Sequence, residues 1–67
     1  MKKFYLSKCV PYQGNREINS VFCKSRQEAI NYFNKYGHLF HEKVNLDSEG
    51  YQKMPDQTTY IVAEAHK

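Results

Sequence analysis

The sequence predicts a single small α+β domain over residues 1–67, ordered β-β-α-β-β: a four-stranded, largely antiparallel sheet with one helix packed on one face. Three observations predict it. Two strand-like stretches, "KKFYLSKCVPY" and "EINSVFCK", flank the turn formers of "QGNR". A Ser-x-x-Glu run, "SRQE", then opens a stretch with apolar residues at helical spacing. Further on, "TTYIVAEA" is rich in β-branched and aromatic residues.

In the first hairpin, Gly14-Asn15 fits a two-residue turn, because glycine tolerates positive φ at the first central position. That turn sets Leu6 opposite Cys23 and Ser20 opposite Cys9. Side chains alternate along a strand, so Phe4, Leu6, Val10, Val21 and Cys23 share one face, the one expected under the helix. Lys3, Tyr5, Cys9, Ile18, Phe22 and Lys24 share the other. Pro11 cannot donate to a ladder, which predicts that the first strand is an edge.

The helix is expected over 26–36. The Ser25 hydroxyl accepts from the backbone three residues on while Glu28 reaches back. Ala29, Ile30, Phe33 and Tyr36 form its apolar face; Gln27, Asn31, Asn34 and Lys35 form the other. Gly37 is placed to end it in a left-handed conformation. In "HLFHEKVNL", Phe40, Glu42, Val44 and Leu46 alternate with Leu39, His41, Lys43 and Asn45, which predicts a third strand. "DSEGYQKMPD" reads as a loop. In "TTYIVAEA" both alternating sets are apolar, Tyr60 and Val62 against Ile61, Ala63 and Ala65, as in an interior strand. The junction "FCKSRQEAINYF" resembles the strand-to-helix junction of small phage inhibitors of bacterial RNA polymerase. What is shared is a helix cap, and the resemblance implies no functional residue.

A chain of 67 residues buries only about 60% of its unfolded surface, so each core side chain matters. Six Tyr and four Phe supply large buried area in compensation. Three Gly and two Pro argue against disorder. No apolar run nears the ~20 residues of a membrane span, and "MKKFYL" is interrupted by polar residues too early for a signal peptide. A cytoplasmic location with two free thiols is expected. The net charge of +3 is uneven: residues 1–35 carry seven Lys/Arg and two Glu, residues 36–67 three Lys and five Asp/Glu. A basic half is a modest nucleic-acid signal or ordinary solvated charge.

Chemistry finds little support. Cys9 and Cys23 have thirteen residues between them and His38 and His41 only two, whereas structural zinc sites pair cysteines a few residues apart. The predicted register also points the two thiols to opposite faces. No metal, cofactor or disulfide is expected. Nothing local joins Cys9 or Cys23 to His38, His41 or His66 as a nucleophile pair. Asp47 and Glu49 sit in a turn as solvated carboxylates. Phosphate-loop, dinucleotide and zinc-protease motifs are missing. An enzyme is the class supported least.

The hairpin face that mixes aromatics with lysines is the expected site. Its residues are Tyr5, Ile18, Phe22 and Lys24, with Tyr12 and Arg16 at the rim. An exposed apolar patch with polar edges docks a protein partner or a second copy of the chain. The same face could stack single-stranded bases, with Lys3, Lys8 and Arg26 on phosphates. Two arginines provide few bidentate contacts, which favours the protein reading. The expectation is a small protein-binding regulator or inhibitor, of a size that phages and mobile elements encode.

Overall fold

The first hairpin is formed by β1 (Lys2–Val10) and β2 (Gly14–Cys23) in a computed structural model that describes residues 1–65. Its turn lies three residues earlier than Gly14-Asn15 predicts. The Gln13 N–H donates to the Val10 carbonyl at 3.0 Å, which puts Pro11 and Tyr12 at the centre. Proline supplies its fixed φ, and Tyr12 takes the positive φ of 67° that a type II turn requires of its third residue. Lys2 therefore pairs with Cys23 and Leu6 with Asn19. The slip is even up to Leu6, so the predicted faces survive there: Phe4, Leu6 and Cys23 are buried. A bulge between Leu6 and Ser7 then inserts Ile18 as an unpaired residue, and Ser7 pairs with Glu17, Lys8 with Arg16. The inserted residue inverts the parity. Ile18 packs against the core rather than on the far face where two-residue-turn register puts it.

The helix α1 spans Arg26–Tyr36, as its sequence signals predict. The Glu28 N–H donates to Ser25 Oγ at 3.3 Å, and the Glu28 carboxylate accepts from the Lys24 N–H at 3.2 Å, one residue ahead of the cap. Ala29, Ile30 and Phe33 are buried against the sheet. Losing a fully buried phenyl such as that of Phe33 costs about 3–5 kcal/mol, a large part of the stability of so small a domain.

Gly37 does not end the helix left-handed. Its φ is −56°, and it continues into a 3₁₀ turn, Gly37–Phe40. The left-handed residue is His41, with φ 64°, and the next N–H, that of Glu42, returns to the Gly37 carbonyl at 3.0 Å. The predicted third strand over "HLFHEKVNL" is thus replaced by this turn and an unpaired segment. Its alternation still holds in part, since Val44 and Leu46 are buried. Side chains satisfy the backbone where a neighbouring strand would have done so. Asn34 accepts from the Leu46 N–H at 2.7 Å and donates to its carbonyl at 3.2 Å, and Gln52 accepts from the Asn45 N–H at 2.7 Å.

The third strand, β3 (Tyr51–Lys53), lies inside the expected loop and pairs with β4 (Thr59–Glu64). The sheet order is β2-β1-β4-β3, every neighbour antiparallel. β4 is interior, as its two apolar sets predict. β1 is interior too, which corrects its assignment as an edge: Pro11 follows the strand and sits in the turn, where its missing N–H breaks no ladder bond. The helix covers one face of the sheet.

Candidate functional site: the open face of the sheet

Strand register fixes the lattice of the uncovered face. Lys3 lies opposite Phe22, Tyr5 between Ser20 and Ala63, Ser7 opposite Ile61, and Ile61 opposite Tyr51. Phe22, Tyr5, Ile61 and Tyr51 therefore run diagonally from one edge strand to the other. Phe22 is 64% exposed, Tyr51 42% and Ile61 41%, high values for such large side chains. No described element packs over them.

The rim of this stripe is basic. Lys3 Nζ stands 5.9 Å from the centroid of the Phe22 ring, within cation–π range. Lys24 is exposed just past the end of β2, and Lys53 lies two residues beyond Tyr51 on β3. Among the described strand residues of this face, Glu17 is the one acid.

The structure brings together Tyr5, Phe22 and Lys24 of the predicted site. It does not add Ile18, which the bulge turns to the core. Tyr12 is fully exposed at the hairpin tip, and Arg16 belongs to the helix side, opposite Lys8. The cations expected for a nucleic acid separate. Lys3 is on the open face, Lys8 is paired with Glu42 on the other side, and Arg26 donates to the Glu49 carbonyl at 2.9 Å. Ile61, Tyr51 and Lys53 were missed. Ile61 carried a signal in its alternating set with Ala63 and Ala65. Tyr51 carried none, since three residues are too few to show a period.

On the helix side a polar cluster latches the 41–47 segment to the sheet. The Tyr60 hydroxyl donates to Glu42 Oε2 at 2.9 Å, and Lys8 Nζ reaches Glu42 Oε1 at 3.4 Å. Burial first, then the Glu42 carboxylate, raises the Tyr60 hydroxyl above its ordinary pKa. The two cysteines are free thiols on opposite faces, Cys9 exposed and Cys23 buried. Burial, then the Glu28 charge, raises the Cys23 thiol; its Sγ–H donates to the Ser25 carbonyl at 3.3 Å. His38 and His41 are exposed around the 3₁₀ turn, and His66 lies outside the described residues. Among the described residues no three His, Cys, Asp or Glu side chains gather to hold a metal, and no helix is long and apolar enough to cross a membrane. No protein-family model, no curated protein and no solved structure matches the chain.

Proposed function

We propose that the chain is a non-enzymatic binding protein, a regulator or inhibitor that docks a protein partner on the open face of its sheet. One observation carries this reading: the apolar diagonal of Phe22, Tyr5, Ile61 and Tyr51 crosses all four strands, with Phe22, Ile61 and Tyr51 exposed and Tyr5 half-buried between them. Large apolar anchors, Tyr5 and Ile61 on the inner strands and Phe22 and Tyr51 on the outer ones, with lysines beside them, suit an interface in which a few residues supply most of the binding energy. Tyrosine suits it, since it offers large area at little entropic cost and keeps a polar tip for hydrogen bonding.

A tagged chain is used to capture partners from bacterial lysate, with and without nuclease, and the captured protein is then titrated in purified form. One stoichiometric protein that survives nuclease is expected. Phe22→Ala should weaken its binding by about 2 kcal/mol or more, roughly thirtyfold, and Lys24→Ala by under about 1 kcal/mol. Capture that is lost on nuclease treatment, or that Phe22→Ala and Ile61→Ser leave unchanged, would refute the reading. If only the chain itself is recovered, sedimentation of the parent and of Phe22→Ala decides whether the face closes on a second copy instead.

A further inference from the structure

We infer that the hollow between Lys8 and Arg16, on the helix side of the sheet, binds a small oxyanion of the phosphate or carboxylate type. It is separate from the open face and independent of what docks there. Register sets Lys8 directly opposite Arg16. Like charges directly opposite each other destabilise an antiparallel pair unless something compensates them. One carboxylate reaches them: Glu42 Oε1 is 3.4 Å from Lys8 Nζ and 3.9 Å from Arg16 Nη2. Both separations exceed the ~2.7–2.9 Å of a charge-assisted hydrogen bond. The other carboxylate oxygen accepts from Tyr60. Among the described residues the two cations thus share one carboxylate at ion-pair distance, Asp56 acting on Lys8 only from farther off, and the donors of Arg16 are left largely unused.

The surroundings give those donors a place to act. A hollow of about 310 Å³ is lined by Lys8, Val10, Gln13, Gly14 and Arg16. Gly14 adds no side chain to the wall, and open space lies where its Cβ would stand. Lys8 is mostly buried, its ammonium held by Glu42 and 5.7 Å from the Tyr60 ring centroid, so its charge is placed before any ligand arrives. Arg16 is the opposite case. Its side chain is 72% exposed and its guanidinium makes no hydrogen bond within the described residues. A planar fork with unused donors matches an oxyanion bidentately. A fixed ammonium on one wall and an adaptable guanidinium on the other fit one small oxyanion with Glu42 still in place.

The test is a titration of the full chain, ¹⁵N-labelled, with inorganic phosphate replacing chloride at constant ionic strength. Acetate in a parallel arm distinguishes carboxylate from phosphate. Saturable shifts at the Lys8, Val10, Gly14 and Arg16 amides are expected. Arg16→Met, at an exposed position that leaves folding intact, should weaken binding about tenfold or more. Glu42→Gln removes the internal competitor while keeping an acceptor for Tyr60, so it should strengthen binding severalfold. A purely structural role for the cluster would not produce that opposite response. Shifts that grow linearly with both anions, that persist unchanged in Arg16→Met, or that fall on Lys3, Lys24 and Lys53 instead would overturn the assignment.

Discussion

Gly37→Ala should destabilise the fold even though the backbone there welcomes a side chain. With φ −56° and ψ −33°, Gly37 is helical, and alanine at such a position gains about 1 kcal/mol of intrinsic propensity. Packing opposes this. A methyl built on Gly37 would overlap the Glu42 carbonyl oxygen and touch Val44 Cγ2. The carbonyl cannot retreat easily. The Glu42 N–H is bonded to the Gly37 carbonyl at 3.0 Å, and the Glu42 side chain is clasped by Lys8 and Tyr60. Overpacking of this kind costs about 1–3 kcal/mol, and the strained hydrogen bond about 1 more. After the propensity gain, the net loss is about 1–3 kcal/mol. Each kcal/mol moves the melting temperature of a domain this size by about 4–8 °C, so thermal denaturation should show a fall of roughly 5–20 °C. Gly14→Ala is the informative companion. Its φ is 85° with no atom within 4 Å, so its loss of about 1–2 kcal/mol is backbone strain alone, and asparagine should recover part of it. Asparagine at Gly37 should recover nothing. A Gly37→Ala protein that melts at or above the parent would show that the 41–47 segment yields, and the reasoning from close approach would fall.

Three other outcomes follow from the same packing. Ile18→Ala should lower stability by about 1–2 kcal/mol, and Phe22→Ala should leave it within about 0.5 kcal/mol, in urea titrations; equal effects would place Ile18 on the open face after all. A thiol reagent at neutral pH should modify Cys9 at once and Cys23 only in denaturant, read by mass spectrometry as one fast and one slow adduct. Stability should fall at alkaline pH. The Cys23 thiol and Tyr60 hydroxyl are both raised above their ordinary values of 9.0 and 10.0, so the folded state holds these protons more tightly. Their contribution is complete below pH 9.0 and is lost as pH rises through the folded values. A combined Cys23→Ala, Tyr60→Phe protein should show a flatter urea midpoint between neutral and alkaline pH than the parent.

Local signals determined the parts of this protein that local physics controls. Ser25 and Glu28 act within one turn, and the spacing of Ala29, Ile30 and Phe33 repeats along one helix, so α1 was legible to the residue. The alternation of Phe4, Leu6, Val21 and Cys23 assigned their face despite a wrong turn, because an even slip keeps parity. The apolar sets of "TTYIVAEA" likewise placed β4 inside the sheet. Other features were decided only where distant segments meet. Pro11-Tyr12 and Gly14-Asn15 are both good turns, and the choice between them, with the bulge at Ile18, depends on how β1 pairs across the sheet. Val44 and Leu46 alternate in the same way whether their backbone is paired in a strand or satisfied by Asn34 and Gln52. The same limit applied to the candidate site. Tyr5 and Phe22 were found from one hairpin, but Ile61 and Tyr51 join them only because β4 inserts beside β1 and brings β3 with it. A binding face shared by four strands is a property of sheet order, and sheet order arises from contacts that no single stretch of chain contains.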